Sequence, residues 1–131
     1  MIETARALYQ FFSGFGVPAY AKDNVPDTIN INGVEMPLEP PYITYEVKRP
    51  EPLSKCLIHA WVWYRGTAMT DVLTKCDEIE AAIGNGLTIR TPGGFVALYR
   101  DVDTPFAQEQ PDPDKTIRVM YLTMILHANT T

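Results

Sequence analysis

Ser54-Lys55-Cys56-Leu57-Ile58-His59-Ala60-Trp61-Val62-Trp63-Tyr64 is the stretch that decides the fold. Its length and its β-branched and aromatic content read as a strand. Alternation puts Leu57, His59, Trp61 and Trp63 on one face, and Ile58, Ala60, Val62 and Tyr64 on the other. Both faces are largely apolar, so neither is simply solvated. One side is expected to pack on a helix, the other on a second layer or a neighbouring subunit.

Just upstream, Tyr42 to Val47 reads as a second strand, with Ile43, Tyr45 and Val47 opposite Tyr42, Thr44 and Glu46. The two prolines within Lys48 to Leu53 make the turn between them. Downstream, a helix starts at Thr67 or Thr70 and runs to about Ile83. Val72, Leu73, Cys76, Ile79 and Ile83 form its apolar stripe, while Asp71, Lys75, Asp77, Glu78 and Glu80 face water. Gly84-Asn85-Gly86 stops it. Leu87 to Arg90 and Phe95 to Arg100 are strands joined by a Thr91-Pro92-Gly93-Gly94 turn. A final strand, Lys115 to His127, alternates Ile117, Val119, Tyr121, Thr123 and Ile125 with Arg118, Met120, Leu122, Met124 and Leu126.

The two outer segments complete the outline. Thr4 to Phe15 reads as a helix with Ala5, Leu8, Phe12 and Phe15 as its stripe, Thr4 as cap, and Gly14 and Gly16 at its end. Tyr9 and Phe11 lie off that stripe, so the helix is well buried or touches a second molecule. Ile29 and Ile31, then Asn32-Gly33, then Val34 and Met36 predict a small hairpin, because Asn and Gly both tolerate positive φ. Pro37, Pro40 and Pro41 are expected to forbid ladder pairing until Tyr42. Residues Asp101 to Asp114 read as one long loop with three prolines, no base, and the acids Asp101, Asp103, Glu109, Asp112 and Asp114; Phe106 lies within it. The order is that of an α+β domain, with helices covering a mainly antiparallel sheet.

At 131 residues the chain has the length of a single domain. With 11 Lys and Arg against 16 Asp and Glu, the formal charge of −5 argues against a general phosphate grip. No stretch approaches the roughly 20 apolar residues of a membrane span, and the N-terminus lacks the basic leader of a secretory signal. A cytoplasmic site of synthesis is expected, with Cys56 and Cys76 reduced as core fillers.

Catalytic and metal motifs are missing. His59 and His127 have no metal-ligand spacing, the acidic loop lacks the calcium-loop pattern, and neither Ser13 nor Ser54 lies in a nucleophile elbow. Gly84-Asn85-Gly86 and Gly93-Gly94 read as turns rather than phosphate cradles. Trp61, Trp63, Tyr64 and Tyr45 with Arg65, Lys48 and Arg49 offer a stacking platform for single strands. The acidic balance favours ordinary cross-strand packing instead. No enzyme and no cofactor is expected.

The element order resembles the tail-terminator or tail-completion proteins of long-tailed bacteriophages, also called head–tail joining proteins. The aromatic helix Ala5 to Phe15, the Pro40-Pro41-Tyr42-Ile43-Thr44-Tyr45 entry and the aromatic strand to Tyr64 carry the likeness. So do the following helix, the short strand pair, the Asp/Pro loop and the long last strand. The resemblance implies a non-catalytic ring, usually a hexamer, in the virion neck, assembled in the host cytoplasm. It implies four relations: self-association, contact with the tail-tube protein, contact with a head-connector or stopper protein, and DNA passing through the lumen without specific binding. Ile29, Ile31, Val34 and Met36, with Asp101, Asp103, Phe106, Glu109, Asp112 and Asp114, are the expected interface residues, the loop ordering on docking. Two other readings stand beside it. One is a different neck ring, such as a head-closure protein. The other is a small α+β ligand-binding module, with Trp61, Trp63 and Arg65 lining its pocket.

Overall fold

A computed structural model describes residues 2–48 and 56–130. Of the turn expected over Lys48 to Leu53, Lys48 is strand, while residues 49–53, with Arg49, and the start of the next strand at Ser54 lie outside the described residues. The architecture is α+β. Among the described residues nine strands, β1 (Ala19–Ala21), β2 (Thr28–Ile31), β3 (Val34–Pro37), β4 (Tyr42–Lys48), β5 (Cys56–Arg65), β6 (Leu87–Thr91), β7 (Gly94–Arg100), β8 (Ala107–Gln110) and β9 (Ile117–Thr130), accompany two α-helices, α1 (Ile2–Phe12) and α2 (Thr70–Ile83).

Seven of these strands form one sheet in the order β1-β4-β5-β9-β7-β6, with β8 also on β9. The long last strand is the spine. Residues 117–126 pair antiparallel with β5, while the other edge takes β8 at residues 119–122 and β7 at 124–130. Directly opposite residues share a face. The register therefore stacks Ile43, Val62 and Met120, and likewise Tyr45, Ala60 and Leu122, on one side. It stacks Tyr42, Trp63 and Val119, and likewise Thr44, Trp61 and Tyr121, on the other.

Both helices pack on the first side. Leu8 and Phe12 of α1, and Val72, Cys76, Ile79 and Ile83 of α2, join Ile43, Ile58, Val62, Val96, Leu98, Leu122 and Met124 in one buried cluster. Phe12 stacks on Tyr45, with ring centroids 4.8 Å apart and planes at 17°. Such a pair contributes about 0.5–1.5 kcal/mol beyond its buried area. Burial pushes the Tyr45 hydroxyl pKa up, and burial pushes the Cys76 thiol up to about 12, so this thiol has little thiolate character.

Local expectations are corrected in several places. Thr4 is not a cap but a buried residue inside α1, and the buried stripe is Thr4, Ala7, Leu8 and Phe12 with Ala5 exposed. The helix gives way to a 3₁₀ turn at Ser13–Phe15, and Gly16 with φ 82° ends it. Leu73 lies exposed beside the α2 stripe. Lys75 is not on the wet side: its Nζ donates to Phe15 O (2.6 Å), tying α2 to the 3₁₀ turn that follows α1. Pro37 pairs with Thr28 as the last residue of β3. Residues 101–114 are not one loop, because Ala107–Gln110 is strand β8, fixed to the spine.

Candidate functional site

The hairpin β2–β3 stands apart from the main sheet, and its strands pair only with each other among the described residues. Asn32 (φ 53°) and Gly33 (φ 83°) form the turn, as a two-residue loop with positive φ at both positions requires. Its root is closed by Leu38 N–H donating to Asp27 O (2.9 Å). Ile29 lies opposite Met36 and Ile31 opposite Val34, so all four share one face. Thr28 and Glu35 lie on the other, joined by a 2.6 Å hydrogen bond from Oγ1 to Oε1. Ile29 is half-buried, but Ile31, Val34 and Met36 are 45%, 58% and 44% exposed. The hairpin is thus amphipathic, with its apolar face largely uncovered. The four sequence-derived candidates here are brought together.

The acidic candidates are not. Asp101 and Phe106 line a hollow of about 470 Å³ at the end of α2, with Glu80, Tyr99, Arg100 and Val102. Phe106 also packs against the core. Glu109 is exposed on β8. Beyond β8, Asp112 accepts from Asp114 N–H (2.9 Å). Asp114 in turn accepts from the Thr116 hydroxyl and N–H (2.7 and 2.8 Å) and lies 3.8 Å from Arg65. The Thr116 hydrogen bonds, more than Arg65, hold the Asp114 carboxyl below its usual range. Asp101 accepts from Asp103 N–H (3.0 Å). Asp101, Asp112 and Asp114 thus accept from turn groups at opposite ends of β8.

The second surface is the face of the sheet turned away from the helices. Neither α1 nor α2 packs there; a short 3₁₀ turn, Lys22–Asn24, lies at its edge. Tyr42 stacks on Trp63 (5.8 Å, 25°), His59 stacks on Tyr121 (5.2 Å, 18°), and Trp61 leans on Tyr121 (5.4 Å, 53°). A hydrogen bond joins Tyr121 Oη and His59 Nδ1. Lys22 Nζ sits 4.8 Å above the Trp61 ring and 3.5 Å from Glu46. Burial pushes the Tyr42 hydroxyl pKa up, helped by Asp112 and Glu39 nearby. An open groove of about 400 Å³ runs here, lined by Lys22, Val25, Tyr42, Thr44, Trp61, Trp63 and Gln110. Both indole donors are satisfied inside the protein: Trp61 Nε1–H donates to Gln110 Oε1 and Trp63 Nε1–H to Thr44 Oγ1, each 3.1 Å.

The platform expected from sequence is therefore split. Trp61 and Trp63 stay together, but Tyr45 and Tyr64 point to the helix side and join or touch the buried cluster. Arg65 does not line the groove; it is held by Glu39 (2.6 Å) and Thr116 (2.8 Å). Tyr42, Tyr121, Lys22 and Gln110 complete the surface instead. The period-two pattern of each strand carried Tyr42 and Tyr121, but only the pairing register puts them beside the indoles.

Among the described residues no group of three or more His, Cys, Asp or Glu side chains is placed to hold a metal. No helix among them is long and apolar enough to cross a membrane. No protein-family model matches the sequence, and no curated protein matches it significantly.

Proposed function

We propose that the protein is a structural subunit that assembles into a ring and caps the tail tube of a long-tailed bacteriophage. In that role it ends tube polymerisation and joins the tube to the head connector. One observation carries this reading: the hairpin holds Ile31, Val34 and Met36 outward on one face. Exposed contiguous apolar surface marks interaction sites, and a two-stranded hairpin is marginal in water without a partner. The resemblance of the element order supplies the identity of the assembly. The net charge of −5 suits a channel through which DNA must slide. Subunit contacts are then the whole mechanism, the ring sits in the virion neck, and no group turns over a substrate.

Negative-stain microscopy of the protein coexpressed with tail-tube subunits tests this. Rings, or a cap on one end of tubes of uniform length, are the expected result. Tubes of unregulated length with no bound protein overturn it. A different ring of the neck, such as a head-closure protein, is separated by location: a terminator is found on headless tails.

The groove beside Trp61 favours one other reading, a ligand-binding module, since its volume falls within the size range of small-molecule sites. Thermal unfolding across a metabolite and nucleotide panel decides this, because a specific ligand raises stability by mass action.

A further inference from the structure

We infer that the groove beside Trp61 binds a neutral sugar, a pyranose ring seated against the aromatic lining with its hydroxyls on the polar groups beside it. The inference goes beyond the ring reading. It rests on the groove being a ligand site, and it names the ligand class of that site.

The groove has a short side chain where its neighbours are long. On the open face of β4, Thr44 lies between Tyr42 and Glu46 and directly opposite Trp61. The Trp61 and Trp63 indoles, the Tyr42 ring and Val25 line the space around it. The two indole hydrogen bonds decide what else the lining offers. An indole N–H only donates, so Trp61 holds the Gln110 amide with its oxygen toward the ring, and Nε2–H2 turns away. Trp63 in the same way takes a lone pair of Thr44 Oγ1 and leaves the hydroxyl proton. Among the described residues neither Gln110 Nε2–H2 nor the Tyr42 hydroxyl has a hydrogen-bond partner. The Lys22 ammonium has three donors and one carboxylate, Glu46, at 3.5 Å.

The unspent atoms are thus mainly donors, with ring carbon beside them. They suit a ligand that is rich in acceptor oxygens and has an apolar face. Charge selects among such ligands. Lys22 is the single charged residue among those lining the groove, and its charge is already met by Glu46 and by the Trp61 ring at 4.8 Å. A phosphate or carboxylate would have to take Lys22 from Glu46. Burial raises the Tyr42 pKa, and the carboxylates of Asp112 and Glu39 raise it further. The hydroxyl therefore keeps its proton, and the same two carboxylates repel an anion. A nucleobase edge mixes donors with acceptors, and the groove offers only the Tyr42 and Thr44 hydroxyl oxygens to receive those donors. A pyranose meets every condition. It is uncharged, its hydroxyl oxygens accept, and its C–H face suits the negative face of an aromatic ring.

NMR titration of isotope-labelled protein tests this. The probes are the methyl glycosides of glucose, galactose, mannose and N-acetylglucosamine, with uridine, phenylacetate and glucuronate as the other classes. The side-chain N–H signals of Trp61, Trp63 and Gln110 report on the groove. At least one neutral glycoside is expected to shift all three saturably, with an affinity that salt leaves unchanged. Tyr42→Phe keeps the ring that stacks on Trp63 and removes the hydroxyl. Gln110→Glu keeps the oxygen that Trp61 bonds and removes Nε2–H2. Each is expected to weaken glycoside binding about fivefold to tenfold, the worth of one hydrogen bond, with the thermal midpoint unchanged.

If the glycosides leave those signals in place while uridine, phenylacetate or glucuronate shifts them, the sugar assignment is overturned and the ligand-site reading stands. If no probe shifts them, both fall and the ring reading is untouched. If a glycoside binds, but folded Tyr42→Phe and Gln110→Glu bind it as tightly as wild type, the sugar sits elsewhere and the inference is overturned.

Discussion

The two faces of β5 have nearly the same hydrophobicity and opposite fates. Ile58, Ala60 and Val62 are fully buried under α1 and α2. Leu57, His59, Trp61 and Trp63 are only half-buried, shielded by each other and by sheet neighbours. The difference lies in what covers them. The helical layer supplies aliphatic stripes that interdigitate with the first face, while the second depends on aromatic side chains lying across one another. On the covered side, stability comes from close packing, where each lost methylene is felt. On the open side it comes from ring contacts and indole hydrogen bonds, and part of the apolar area stays uncovered. The hairpin takes the same contrast further, since its apolar face has almost no cover at all.

Substitutions on each side should reproduce that contrast. Phe12→Ala empties a fully buried site beneath Tyr45 and is expected to cost about 3–5 kcal/mol in urea unfolding. A loss under 1 kcal/mol would break the claim that α1 is the keystone of the covered face. Trp63→Ala removes the Tyr42 stack and the bond to Thr44 and should cost about 1–2 kcal/mol in the same assay. A cost equal to that of Phe12→Ala would mean that the open face is packed as tightly as the core.

A smaller effect, of opposite sign, is expected at Thr91, whose buried hydroxyl has no hydrogen-bond partner among the described residues. Thr91→Val should stabilise by about 1 kcal/mol, since an unpaired buried polar group is replaced by a methyl. A raised unfolding midpoint with an unchanged m-value is the signature to look for.

The least effect concerns pH at the open end of the sheet. Asp114 has its pKa lowered in the folded chain by Thr116. Its contribution is therefore whole above the ordinary carboxylate pKa of about 3.9. It is lost as pH falls through that value and the lower folded one. The protection factor of the Thr116 amide, its exchange rate corrected for the intrinsic pH dependence, should fall on acidification before the covered core responds. Thr116→Val should move the Asp114 titration back toward the ordinary value, followed by NMR of its carboxyl. No movement would assign the depression to Arg65.

The strands that carry strong alternation were legible in the sequence, β4, β5 and β9 above all, and so was the hairpin with its Asn32-Gly33 turn. The missed strands have a common cause. Ala19–Ala21 is three residues long and exists because its backbone pairs parallel with Ile43–Tyr45. Ala107–Gln110 has no apolar pattern, and Glu109 and two glutamines between Pro105 and Pro111 spell a loop; the unpaired edge of β9 makes it a strand. Leu73 follows Val72 in the chain but lies about 100° round the helix from it, which turns it off the stripe that meets the sheet. Of the candidate surface, the four hairpin residues follow from period two and a two-residue turn. The groove does not, because its lining comes from β4, β5, the residues after β1 and the end of β8.

What this sequence determined by itself is each local element and which side chains share a face, since those depend on periodicities of 2 and 3.6 residues and on turn chemistry within a few positions. What only the tertiary structure decided is which face of the sheet the helices took, and which of its two apolar sides was left open. That choice is set by nonlocal register along β9 and by the stripes of α1 and α2 closing on one side, an outcome no short window of residues contains.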